Sequence, residues 1–108
     1  MSEEELQQLG IIEQSLNQAL SQRQQYENLL SETTAALNEL EGRDEAYHIV
    51  GSIMIKKEAK DIRKDLKEKK ERYDIRVQSL IKQEEQLRGQ MQKLQETLLG
   101  NMDKGEEQ

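Results

Sequence analysis

The stretch AYHIVGSIMIKK, Ala46–Lys57, decides the fold. It is the one segment in the chain with β character, and it lies near the midpoint of 108 residues. Two short apolar runs flank Gly51-Ser52, and a glycine at the first turn position suits a two-residue type II′ hairpin. That turn sets the register. Val50 faces Ile53, Ile49 faces Met54, His48 faces Ile55 and Tyr47 faces Lys56. Successive pairs alternate between faces. One face therefore carries Val50, Ile53, His48 and Ile55, and the other carries Ile49, Met54, Tyr47 and Lys56. Both are substantially apolar. A lone hairpin is marginal in water, and exposed apolar strands with open edges aggregate unless other strands pair with them. The segment thus predicts oligomerisation through β-structure, with Tyr47, Ile49, Val50, Gly51, Ile53, Met54 and Ile55 as the assembly residues. The competing reading is a plain apolar turn between helices, buried by its own chain.

Outward from the hairpin, each side reads as a long helical arm. On the N-terminal side the a/d series is Leu9, Ile12, Leu16, Ala19, Arg23, Tyr26, Leu30, Thr33, Leu37 and Leu40. This spacing marks a coiled-coil arm. Ser2-Glu3-Glu4-Glu5 matches a capping box, and Gly42 is a helix terminator, so arm one spans residues 2–41. On the C-terminal side the series is Arg63, Leu66, Lys70, Tyr73, Val77, Leu80, Glu84, Leu87, Met91, Leu94 and Leu98. Arm two spans residues 58–99, Gly100-Asn101 ends it, and residues 100–108 form a loose acidic tail.

If the arms fold back antiparallel, the residue numbers in each layer share a constant sum. A sum of 103 aligns Leu9 with Leu94, Ile12 with Met91, Leu16 with Leu87, Ala19 with Glu84 and Tyr26 with Val77. The hairpin pair Val50–Ile53 has the same sum. A shift of one heptad, to 110, is the rival and would pair Tyr26 with Glu84. The expected fold is thus mostly α: one domain over residues 1–108, a long antiparallel two-helix coiled coil, with a single β-hairpin at residues 46–57 that pairs with strands of other subunits.

Composition agrees. The chain is 35% charged and 33% hydrophobic, with no Pro, Cys, Trp or Phe. That is too little apolar bulk for a globular core and typical of long helices. Absence of Cys excludes disulfides and thiolate metal sites. No apolar run approaches the roughly 20 residues a membrane span needs, and the acidic N-terminus lacks an apolar signal core. The expected location is the cytoplasm. The net charge of −6 argues against a general nucleic-acid binder. It is unevenly spread: residues 1–42 carry −7 and residues 60–99 carry +3, which suits two arms packed side by side. The basic run Lys60–Arg76 holds eight bases but also five acids, with Tyr73 its single aromatic, so RNA binding is the weaker reading.

Nothing here reads as catalytic. The single histidine, His48, sits on a strand and is structural. Carboxylate pairs such as Glu84-Glu85 lie on helices without a pocket. There is no Walker A loop and no dinucleotide fingerprint. The expectation is a non-enzyme without cofactor or metal. Function then rests on the arm tips, where Leu6, Leu9, Ile11 and Ile12 crowd one helix end and Leu94, Leu98, Leu99 and Met102 the other. A two-helix seam uses about two residues in seven, so Leu6, Ile11 and Leu99 fall outside it. Exposed apolar tips suit weak binding of non-native apolar segments.

At these residues the chain resembles the beta-type, archaeal-like subunits of the prefoldin family. The resemblance covers nearly the whole chain. It rests on the helix–single hairpin–helix layout, the hairpin AYHIVGSIMIKKEAKDI and the stretch KQEEQLRGQMQKLQETL. Tyr47, Val50, Gly51, Ile53 and Ile55 fall on the family's Y-x-x-V-G-x-x-L-I-like pattern, while His48 replaces a more usual basic residue and Met54 a larger aliphatic. The resemblance implies a hexamer with alpha-type subunits and other beta-type copies, built through a β-barrel body with coiled-coil tentacles. It implies a chaperone that acts without ATP, holds unfolded polypeptides at its tips and delivers them to a group II chaperonin. Carried onto this chain, the client contacts are Leu6, Leu9, Ile11, Ile12, Leu98, Leu99 and Met102. The alternative function is a structural coiled-coil scaffold or adaptor that holds no client.

Overall fold

Helix α1 begins where its capping signal lies. In the computed structural model, which describes the backbone of residues 2–106 and the side chains of residues 2–100, α1 spans Glu3–Leu40. The Glu5 N–H donates to Ser2 Oγ at 3.1 Å, and the Leu6 N–H donates to the Ser2 carbonyl at 3.2 Å. Glu5 Oε2 is buried without a hydrogen-bond partner. Three glutamates in the first turn meet the positive end of the helix dipole.

At its other end α1 stops on Gly42, whose φ of +76° lets the chain turn out of the helix. Strand β1 follows at Glu45–Val50, then β2 at Ile53–Glu58. They form one antiparallel two-stranded sheet in the expected register, Val50 opposite Ile53 through Tyr47 opposite Lys56. The ladder runs one pair further than the sequence suggested, to Glu45 opposite Glu58. Gly51 has φ +61° and, among the described residues, no non-glycine has positive φ, the sign pattern of a type II′ turn with glycine first.

Helix α2 spans Ala59–Glu106. It does not end at Gly100, where the sequence places its end. Gly100 lacks the positive φ that closes a helix, so it costs only about 1 kcal/mol relative to alanine. The expected loose tail is helical as far as Glu106, and its last two residues lie outside the described ones. The architecture is two long helices with an antiparallel hairpin between them.

The chain divides into two compact units. One comprises residues 25–77. Its buried residues are Thr33, Leu40, Ala59 and Val77, and the Thr33 hydroxyl is satisfied by donating to the Leu29 carbonyl at 2.7 Å. The rings of Tyr26 and Tyr73 pack at 6.1 Å between centroids, tilted by 49°, with the Arg76 guanidinium carbon 5.8 Å from the Tyr26 ring centroid. Where the helices meet the hairpin, the Ala59 N–H donates to the Asp44 carbonyl at 2.9 Å, and Arg63 Nη1 donates to the Leu40 and Arg43 carbonyls at 3.0 and 3.2 Å. Asp44–Ala59 and Leu40–Arg63 both have residue numbers summing to 103, as does every pair in the hairpin.

The second unit comprises residues 1–24 and 78–108. Among its described side chains, Ala19, Leu80, Glu84 and Leu98 are buried. Ala19 and Glu84 belong to one layer of the 103 register. The rival register required Glu84 to face Tyr26. Glu84 instead binds Arg23, whose Nε lies 2.9 Å from both carboxylate oxygens, and Tyr26 packs on Tyr73.

Candidate functional surfaces

The hairpin leaves its apolar side chains uncovered. Tyr47, Ile49, Val50, Ile53, Met54 and Ile55 are all exposed, with Ile49 and Met54 at 64%. The reason is geometric. A two-stranded sheet has two faces and two edges, and within residues 25–77 only the ends of the two helices adjoin it. A groove of about 590 Å³ runs beside β1, lined among others by Ala36, Leu40, Tyr47, Ile49, Ile62 and Leu66. His48 also lines it and is exposed. The turn and register were legible in the sequence. The groove was not, although Ile62 and Leu66 carry the apolar stripe that floors it.

Charged contacts at the hairpin are peripheral. Lys56 Nζ lies 3.1 Å from Glu45 Oε2 and Lys60 Nζ lies 3.3 Å from Glu58 Oε2, all with well exposed side chains. Such pairs contribute between about 0 and 1 kcal/mol.

In the unit of residues 1–24 and 78–108, the expected tip residues separate into three groups. Leu6, Ile11 and Leu99 are exposed, Ile11 to 64% and Leu99 to 61%. Leu9, Ile12 and Leu94 are half-buried along the seam. Leu98 is only 4% exposed, because in the 103 register it is level with the first turn of α1 rather than beyond it. It is a packing residue in this unit. The Met102 side chain lies outside the described residues. A second groove, of about 510 Å³, is lined by Gln8, Ile11, Ile12, Gln90, Lys93, Leu94 and Thr97. It joins an exposed isoleucine to the half-buried seam and can accept an apolar side chain from outside.

Among the described residues no group of three or more His, Cys, Asp or Glu could hold a metal ion, and no helix is long and apolar enough to cross a membrane. Three structural side chains escaped the sequence reading. Arg63 was placed in the helix seam, yet it caps the end of α1. Arg23 and Glu84 were polar exceptions to two apolar series, yet they bind each other. Their opposite charges at nearby seam positions were the available signal.

Comparison with known proteins agrees with this layout. The prefoldin subunit family model matches residues 3–104. The chain is 42% identical over 94 residues to the prefoldin beta subunit of Archaeoglobus fulgidus, covering 84% of this chain and 81% of that one. It is 35% identical over 94 residues to the beta subunit of Caldivirga maquilingensis, covering 84% and 78%. The crystal structure of the prefoldin beta subunit from Thermococcus strain KS-1 superposes with a TM-score of 0.82 at 29% identity, covering 90% of this chain and 88% of that one. The layout of two long helices with a hairpin between them thus matches a solved prefoldin beta subunit, and this chain belongs to the prefoldin family of chaperone subunits.

Proposed function

We propose that this chain is one subunit of an ATP-independent holdase in the cytoplasm. In this reading the hairpin assembles with alpha-type subunits and other copies of the chain into a β-barrel body. The apolar side chains of residues 1–24 and 78–100 hold unfolded polypeptides and release them to a group II chaperonin. The observation that carries the reading is the exposure of Leu6, Ile11 and Leu99 in the same unit as the Ile11–Leu94 groove. Exposed apolar side chains gain on the order of 1–2 kcal/mol each when a client covers them, enough for reversible capture by several subunits together and weak enough for release. Hold by burial alone calls for no bond making and no nucleotide.

The test is suppression of aggregation of a chemically unfolded client by the assembled oligomer. Deleting residues 1–12 and 94–108 is expected to abolish suppression while the oligomer persists. Full suppression after deletion would remove the assignment of client contacts to these segments. A scaffold without client-holding activity would instead show no suppression by the intact oligomer.

A further inference from the structure

Sulfur chemistry in this chain falls to methionine. There is no cysteine, so the four methionines hold the sulfur atoms that a peroxide can oxidise. Two of them have described side chains. Met54 is 64% exposed, whereas Met91 is half-buried on α2. The Met1 and Met102 side chains lie outside the described residues.

Met54 is open on both its side chain and its backbone. Its register partner is Ile49, itself 64% exposed, and Tyr47 lies diagonally across on the same face. Val50 and Ile53 flank the two-residue turn and so hydrogen-bond to each other. The next pair, Ile49 and Met54, therefore turns its N–H and C=O groups outward, toward the two edges of the sheet. The sheet has two strands, so no third strand covers either edge. A strand added at the β2 edge would hydrogen-bond at Met54, and a chain packed on that face would cover its sulfur. A flexible thioether adapts well to such an apolar contact. A sulfoxide does not, because it is polar and fixed in chirality.

We propose that Met54 is an oxidation site that gates entry of the chain into its oligomer. The inference rests on the reading that the hairpin assembles. Hydrogen peroxide transfers one oxygen to the Met54 sulfur: its O–O bond breaks, an S=O bond forms and water leaves. The sulfur gives up two electrons and the peroxide takes them. The unassembled chain, with Met54 open, accepts the oxygen; in the oligomer the covered sulfur does not. The sulfoxide puts a polar group without a partner into an apolar contact, so an oxidised chain stays out. Methionine sulfoxide reductases reverse the step, taking two electrons from a thiol reductant and releasing the oxygen as water. Chains are thus sorted by oxidation state before assembly and protected after it.

The experiment compares assembly before and after hydrogen peroxide for the full chain, M54L and M91L, each alone and mixed with an alpha-type subunit. Peptide mass spectrometry locates the added oxygen and sedimentation velocity reads the oligomer. In the unassembled original chain, Met54 is expected to gain oxygen several-fold faster than Met91. The treated chain is expected to assemble about ten-fold more weakly than the untreated one, and the reductases should return it to the untreated level. M91L should lose assembly on treatment as the original does. M54L, whatever its own starting affinity, should lose none; if it does not assemble, M54I is read by the same ratio. Peroxide added to the preformed oligomer should leave Met54 unmodified. The proposal is overturned if the oxidised original chain assembles like the untreated one, if M54L loses assembly as the original does, or if Met54 is oxidised as fast in the oligomer as outside it. Failure of the assembly reading looks different and takes the proposal with it: the untreated chain forms no oligomer, or I53D leaves the oligomer intact.

Discussion

At the scale of single residues, the joint between helix and hairpin depends on Arg63. Its Nη1 donates to the Leu40 and Arg43 carbonyls at 3.0 and 3.2 Å, and so satisfies acceptors that the end of α1 leaves open. Arg63→Ala is expected to destabilise the chain by about 1–3 kcal/mol, read as a lower denaturant midpoint. Lysine should restore only part of it, because a point charge cannot reproduce the planar fork. Arg23→Ala is expected to cost about 2–3 kcal/mol, less than for a fully buried pair because Arg23 is partly exposed, since it leaves Glu84 buried and uncompensated. Lys56→Ala removes an exposed contact and should change stability by less than about 0.5 kcal/mol. These differences were hard to read in advance. Layer counting aligns residues whose Cα atoms are level, so it placed Glu84 opposite Ala19 and overlooked an arginine that spans one more turn. It also counted Arg63 as a seam residue, because nothing in a heptad pattern records which way a terminal carbonyl points.

At the scale of elements, the hairpin was legible almost completely. A two-residue turn with glycine first admits one register, and that register is the one observed. Only the outer pair Glu45–Glu58 was missed, because two facing glutamates carry no strand signal although their backbones still complete the ladder. The end of α2 was misread for a related reason. Gly100 terminates a helix only if it takes positive φ, and it does not. The same logic makes Gly89 improvable. It is helical, lacks positive φ, and an added Cβ there would meet nothing within 4 Å. Gly89→Ala should stabilise α2 by up to about 1 kcal/mol, seen as a raised Tm. Gly51→Ala should do the opposite. Its φ of +61° is strained for any residue with a Cβ, at about 1–2 kcal/mol, and a loosened turn should weaken oligomer formation more than helicity. Ile53 is exposed on the hairpin. If the hairpin assembles as proposed, Ile53→Asp would place a charge in a buried interface, and it should abolish the oligomer on a sizing column while leaving the helical signal intact. A surviving hexamer would refute the barrel assembly.

At the scale of the whole molecule, the fold class was legible because helix and strand periods differ and the chain switches from one to the other and back. The family followed from the same hairpin. The functional surfaces were legible less evenly. Leu6, Ile11 and Leu99 were singled out as lying outside a two-residue-in-seven seam, and they are exposed. Leu98 was grouped with them by crowding at a helix end, and it is buried. Counting apolar residues along a helix finds where they concentrate, whereas the register decides which of them face water. The proposed function separates work by segment: strands 45–50 and 53–58 would assemble, and residues 1–24 with 78–100 would hold the client. Ile75, exposed to 62% within residues 25–77, provides the control, since it is as apolar and as open as Ile11 yet lies in the other unit. The most direct test places a photoreactive amino acid at Ile11, Leu99 or Ile75 of the assembled oligomer, adds a chemically unfolded client and measures covalent capture on illumination. The account predicts capture from positions 11 and 99 and little from position 75. Equal capture from all three, or capture from position 75 alone, would contradict it.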